Sequence, residues 1–229
     1  MIYLTGDTHI PIDIAKLSTV SFPEQKRMTQ EDYVIVLGDF GLLWHEDKTY
    51  RHWLSWLEQK PFTILWLDGN HENHDWIGRL PVTEWHGGNV HRIADNILHL
   101  MRGQIFELSG KNFFVMGGAD SIDKAHRQTG ISWWPQEVPS AAEGMEALDR
   151  LHAWHAAGHR IDYVLTHTCP REIVYQMFHV HSDDPTTKLL DAVNHEVIDK
   201  IEGWYFGHWH ETKDFWKYHC LYNKVLRLL

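Results

Sequence analysis

The run FTILWL (62–67) passes straight into DGNHENHDW (68–76), and this junction decides the fold. Six apolar residues, rich in β-branched and aromatic types, read as a strand buried on both faces. A Gly, an Asn, a His and a Glu follow it at once. One such ending is consistent with a turn and nothing more. Four other short apolar runs end in the same way. MIYLT (1–5) leads into Gly6, Asp7, Thr8 and His9, and YVIVL (33–37) into Gly38 and Asp39. IDYVLT (161–166) leads into His167, and GWYF (203–206) into Gly207, His208, Trp209 and His210.

Helical patterns fall between these strands. DKTYRHWLSWLEQ begins at the N-cap candidate Asp47, buries Trp53, Leu54 and Leu57, and stops before Pro61. SAAEGMEALDRLHAWHAAG has Ser140 and Glu143 at capping-box spacing, an apolar face of Met145, Leu148 and Leu151, and Gly158 at its end. A third helix spans 185–201. A mid-chain group, NILHL (96–100), QIFEL (104–108) and NFFVMG (112–117), reads as antiparallel strands joined by short polar turns. The expected class is therefore α/β, with helices covering sheet faces. No linker, repeat or low-complexity tract divides the chain, so one domain over 1–229 is expected.

Composition narrows the function. The chain has 21 Lys and Arg against 31 Asp and Glu, a formal charge of −10, which gives no bulk attraction to a long nucleic-acid track or an anionic membrane. The two cysteines, Cys169 and Cys220, are too few for a disulfide framework or a Cys-type zinc site. A reducing, cytoplasmic setting is expected. The N-terminus has no signal-peptide pattern, and no apolar run approaches the roughly 20 residues of a membrane span.

In open α/β sheets, ligands bind beyond the carboxyl ends of the strands. Five strand ends carrying Asp, Asn and His can thus converge on one point. These side chains offer oxygen and nitrogen ligands without thiolate, a donor set suited to Mn, Fe, Zn or Ni. A carboxylate can bridge two such cations. A pair about 3.5–4 Å apart can bind a phosphoryl group, activate a water and stabilise a departing oxygen. The remaining histidines, such as His45, His52, His74, His86, His91 and His99, show no repeated ligand spacing, which argues against a His-rich metal store.

Taken together, Asp7-x-His9, Gly38-Asp39, Gly69-Asn70-His71-Glu72, His167 and Gly207-His208-x-His210 resemble the calcineurin-like metallophosphoesterases. The resemblance implies a four-layer α-β-β-α sandwich with a dimetal site at the strand ends. It implies that Asp7, His9 and His210 hold one metal, that Asn70, His167 and His208 hold the other, and that Asp39 bridges them. His71 would contact the substrate phosphate and protonate the leaving oxygen, with Glu72 orienting it by a hydrogen bond. Two divalent cations, Mn²⁺ first among them, would be the cofactors of a phosphate-ester hydrolase.

The inserts bear on the substrate. Residues 117–137, GGADSIDKAHRQTGISWWPQE, read as a substrate loop in which Ser121, Lys124 and Arg127 can hold an anion. Trp133 and Trp134 can stack on a base or sugar, or pack on the core. The order of GNHE, connector, antiparallel strands and Gly-Gly loop is loosely similar to the nucleotide-directed branch, RNA-lariat debranching enzymes among them. A phosphodiesterase acting on a nucleotide or short oligonucleotide is the reading favoured. A phosphomonoesterase, on a small molecule or a protein, shares the same ligands. The Gly38-Asp39 motif lacks the downstream Asp-Arg common in protein phosphatases. A non-catalytic metal-binding module is the other alternative, against which the presence of His71 and every ligand argues.

Overall fold

The computed structural model describes residues 1–229. In chain order its elements are β1 (Ile2–Thr5), β2 (Tyr33–Leu37), α1 (Lys48–Glu58), β3 (Thr63–Leu67), α2 (His74–Ile77), β4 (Val82–Trp85), β5 (Gly88–Ala94) and β6 (Ile97–Leu100). There follow β7 (Gln104–Leu108), β8 (Lys111–Met116), α3 (Ala141–Ala156), β9 (Tyr163–Thr166), α4 (Arg171–Phe178) and α5 (Pro185–Val197). The chain closes with β10 (Gly203–Phe206), β11 (Lys213–Phe215), β12 (Tyr218–Cys220) and β13 (Leu226–Arg227).

Two sheets result. The first has seven strands in the order β13-β1-β2-β3-β6-β5-β4, and the second has six, β11-β12-β10-β9-β8-β7. Strands β1, β2 and β3 run parallel, as do β8, β9 and β10. Both sheets therefore present the carboxyl ends of central strands to one region.

Side-chain alternation sorts the apolar residues into three cores. In β2, Tyr33, Ile35 and Leu37 face the second sheet, while Val34 and Val36 face outward under α1. Leu65 and Leu67 of β3 meet Phe113 and Val115 of β8 and Leu165 of β9 between the sheets. On the outer face of the second sheet, Phe114, Val164, Trp204 and Phe206 pack against Leu151 of α3, Val174 of α4 and Leu190 and Val193 of α5. Each full burial of such a side chain contributes about 1.5–3 kcal/mol. The result is the four-layer α-β-β-α arrangement expected from the sequence, with the first sheet's outer layer built from α1 and short 3-10 turns.

The helix starts form as the caps dictate. Asp47 accepts the Tyr50 N–H at 2.9 Å. Ser140 and Glu143 make both bonds of a capping box. Three local expectations differ. The mid-chain strands do not form one antiparallel group, because β6 pairs with β3 and β5 in the first sheet while the β7–β8 hairpin belongs to the second. Met145 is exposed, and the buried stripe of α3 is Gly144, Ala147 and Leu151, rotated toward α5. Helix α5 ends at Val197, with Ile198–Ile201 turning into β10. No helix is long and apolar enough to cross a membrane.

Candidate functional site

Seven side chains from both sheets meet at the strand ends. The β1, β2 and β3 ends supply Asp7, His9, Asp39 and Asn70, and the β9 and β10 ends supply His167, His208 and His210. Asp7, His9 and His210 offer ligand atoms that all lie within 4.8 Å of one another, and so do His9, Asp39 and His71. His167 brings its Nε2 to 3.1 Å from Asn70 Oδ1 and 3.4 Å from Asp39 Oδ2.

The donor set fits a pair of divalent cations on one feature in particular. Asp7 and Asp39 are 0% and 1% exposed. Each spends Oδ1 on a backbone N–H: Asp7 accepts from His208 at 2.9 Å and Asp39 from His71 at 2.7 Å. Each leaves Oδ2 buried with no hydrogen bond. Imidazole nitrogens surround these bare oxygens, His210 at 3.1 Å from Asp7 and His9 at 3.3 Å from Asp39, without hydrogen-bond geometry. A buried polar atom without a partner is costly, and two of them ringed by ring nitrogens and an amide oxygen make a cation site. The second nitrogens are tied down. His9 Nδ1 donates to Asp13 at 2.9 Å and His167 Nδ1 to the Leu37 carbonyl at 2.8 Å, so Nε2 of each is the nitrogen turned toward the bare carboxylate oxygens.

The field matches that use. Burial alone would raise the Asp39 carboxyl, but His167, His9 and His71 hold it well below its ordinary range. Burial pushes His208 down to about 4, aided by His167, which keeps the ring neutral and able to ligate. His167 is pushed down by burial yet held at about 10 by Asp39 and Asp7, a sign of how strongly the pocket draws positive charge.

Backbone geometry marks the same residues. His9, Asp39, His208 and His210 all have left-handed φ, at 35°, 49°, 67° and 49°. Such a conformation is uncommon without glycine and clusters at functional sites. The adjoining glycines serve closeness of approach. A Cβ on Gly69 would sit 2.1 Å from Asp39 Oδ1, and one on Gly207 would sit 2.2 Å from Asp7 Oδ1. Ligand turns from neighbouring strands can nest only because these positions lack side chains.

The remaining expected residues fall into different places. His71 lines the cleft beside the ligands, and Arg127 donates to its Nδ1 at 2.9 Å. Guanidinium has no acceptor, so Arg127 can only donate to this ring, and its other terminal nitrogen lies 3.5 Å from Nε2. Glu72 does not orient His71. Its fully buried carboxyl accepts from the Phe40 N–H at 2.6 Å and points under the Asp39 turn. Ser121 is buried and faces protein rather than an open anion site. It accepts from Asn70 Nδ2 at 3.0 Å and donates to Glu137 at 2.8 Å, holding the amide oxygen toward His167. Lys124 turns away to Asp120 at 2.6 Å, so it is no free anion contact. Trp134 is 3% exposed, packs on Trp44 and donates to Asp75 at 2.9 Å, which leaves it no face for a base.

Sequence reading missed Asp13, Glu137, Asp68, Arg102 and Tyr222. Their contacts run between distant segments. Only Asp13, four residues from His9, gave a local signal.

A cleft of about 700 Å³ opens over the ligands between the 117–137 loop and the turn before α5. No curated protein matches the sequence. Among solved structures, "The crystal structure of Phosphopantetheinyl Hydrolase (PptH) from Mycobacterium tuberculosis" is similar at 16% identity and a TM-score of 0.43, covering 97% of this chain and 89% of that one. The model of the family described as "Calcineurin-like phosphoesterase" matches residues 1–212. The chain thus belongs to the calcineurin-like phosphoesterases, metal-dependent hydrolases of phosphate esters.

Proposed function

We propose that the chain is a two-metal phosphodiesterase acting on a nucleotide-type ester, with residues 1–229 working as one unit and 117–137 forming its substrate loop. Asp7, His9 and His210 would hold one cation and Asn70, His167 and His208 the other, with Asp39 placed between the two groups. Manganese is the first choice among Mn, Fe, Zn and Ni. When bound, such a pair supplies Lewis acidity to the phosphoryl oxygens and a water of lowered pKa. His71 lines the cleft, where a ring proton can be given to the departing oxygen. Arg127, against the His71 ring, adds positive charge beside the phosphate. Cys169 and Cys220 are buried free thiols, in keeping with a reducing cytoplasmic setting.

The acidic rim of the cleft carries the choice of diester over monoester. Lys124 pairs with Asp120 and Arg127 with Asp123, at 2.6 and 2.8 Å, while Asp183 and Asp184 also line the cleft and have no cationic partner. A phosphate monoester brings about 1.5 to 2 negative charges at neutral pH. A diester brings one. Surplus carboxylates repel the doubly charged ester more strongly and accept hydrogen bonds from the amines and hydroxyls of a nucleoside. The same rim leaves no basic track for a long polyanion.

The test is hydrolysis of bis-p-nitrophenyl phosphate against p-nitrophenyl phosphate by chelator-stripped protein reloaded with Mn²⁺, Zn²⁺, Ni²⁺ or Fe²⁺. Metal-dependent preference for the diester is expected. Preference for the monoester would make the protein a phosphatase and remove the charge argument.

A further inference from the structure

We infer that Asp13 and Tyr222 are positioning residues for the cation held by Asp7, His9 and His210. The inference rests on the metal assignment above. Tyr222 lies beyond residue 212, where the family match ends, so the C-terminal segment adds a part to the site that the shared motifs do not contain.

His210 has a half-exposed side chain, and its ring makes no hydrogen bond. Nothing but contact fixes the ring plane. Tyr222 supplies that contact, stacked on His210 with ring centroids 4.7 Å apart and planes 8° from parallel. The Tyr222 hydroxyl reaches Asp13 Oδ2 at 3.4 Å, and the same oxygen accepts from His9 Nδ1 at 2.9 Å. Both ligand imidazoles are thus referred to one Asp13–Tyr222 pair, one by a hydrogen bond and one by a ring face. Asp13 leaves His9 Nε2 as the ligand atom, and Tyr222 keeps His210 from rotating away from Asp7.

The segment is anchored in place. Lys16 Nζ donates to the carbonyl of Asp7 at 2.6 Å and to that of Tyr222 at 2.5 Å, joining the first ligand turn to the C-terminal segment. The Leu221 N–H donates to Phe206 O at 2.8 Å, at the end of β10. Gly6 admits this approach, since a Cβ there would lie 1.9 Å from the Leu221 carbonyl oxygen. The other cation's ligands, Asn70, His167 and His208, make no hydrogen bond or ion pair with Asp13 or Tyr222. Loss of the pair therefore acts on one site and spares the other.

Calorimetric titration of chelator-stripped protein with Mn²⁺, with the electron paramagnetic resonance spectrum as a second readout, tests the inference. Tyr222→Leu and Asp13→Ala are each expected to weaken one of the two Mn²⁺ equivalents by about 10- to 100-fold. The other equivalent keeps its wild-type affinity, and the exchange-coupled signal of the pair gives way to that of isolated Mn²⁺. Tyr222→Phe, which keeps the ring face, is expected to bind both equivalents as wild type does. If Tyr222→Leu does not fold, the Asp13→Ala variant, at a side chain 24% exposed, decides alone. Unchanged binding of both equivalents in Asp13→Ala and Tyr222→Leu would overturn the inference, and so would an equal loss at both sites, the mark of a general structural role. Wild-type protein that takes up no Mn²⁺ would instead overturn the metal assignment on which it rests.

Discussion

Arg102→Met is expected to destabilise the protein strongly at neutral pH and much less in acid. Asp68 directly follows β3, one residue before Gly69, and is 2% exposed. Arg102 donates to its Oδ2 from Nε at 2.9 Å and from a terminal nitrogen at 2.5 Å, and that nitrogen also lies 2.8 Å from the Gln136 carbonyl oxygen and 3.2 Å from that of Glu137. Methionine fills the volume but leaves the carboxylate buried with only His99, at 3.2 Å. Removing one partner of a buried pair costs about 3–5 kcal/mol. The pH dependence follows from linkage. Burial alone would raise the Asp68 carboxyl, but Arg102 and His99 hold it far below its ordinary range. In wild type its stabilising contribution is present above the unfolded pKa and is lost only as pH falls through the lower folded value. Without Arg102, the larger of the opposing influences is gone, burial is countered only by His99 and His74, and the folded pKa rises. The variant then picks up a proton on folding, and its deficit shrinks as pH falls from about 7.5 to about 5. Urea melts of metal-free wild type and variant, followed by far-ultraviolet circular dichroism, measure the difference at both pH values. A deficit under about 1 kcal/mol at neutral pH, or one that does not narrow in acid, would refute the reasoning.

Three further outcomes are expected. His71→Ala should retain its metals by elemental analysis while turnover falls by about 100- to 10,000-fold; wild-type turnover would remove His71 from proton transfer. Because the ligands come from both sheets, chelation should lower the melting temperature in scanning calorimetry, each cation at a hundred times its dissociation constant being worth about 2.7 kcal/mol. A melting temperature indifferent to chelator would show that the cations do not tie the sheets together. Gly69→Ala places a Cβ 2.1 Å from Asp39 Oδ1 and 2.5 Å from its backbone nitrogen. Metal stoichiometry should collapse in a chain that still folds, and full loading would show that the two turns can part.

The strands that place the site are legible because burial on both faces leaves an unmistakable apolar run, as in YVIVL and TILWL. Their polar endings are legible for the same reason, since Asp39 or His167 has no other cause to sit at the edge of such a run. What the sequence hides is pairing. Nothing local in NILHL and QIFEL shows that the chain crosses between sheets at Met101–Gly103. Nor does GGADSIDKAHRQ show that Ser121 faces Asn70 while Lys124 folds back on Asp120. Polar side chains find partners by geometry across the fold, so the same three residues that read alike as anion contacts part into a brace, a surface pair and a cleft cation. Glu72 illustrates the limit. Its position after His71 suggested a partner there, but full burial directs it to the nearest unpaired N–H groups, at Phe40 and Gly41.

The left-handed turns at His9, Asp39, His208 and His210 have an evolutionary consequence. Each holds a residue other than glycine in a conformation that costs on the order of 1 kcal/mol relative to a relaxed backbone. Glycine at any of them would relax the backbone and leave the site incomplete. Selection for metal is thus the force that opposes drift at these four positions. A descendant freed from that demand is expected to gather glycine or asparagine there before its cores change. Those four codons would record the loss of the activity earlier than the fold itself.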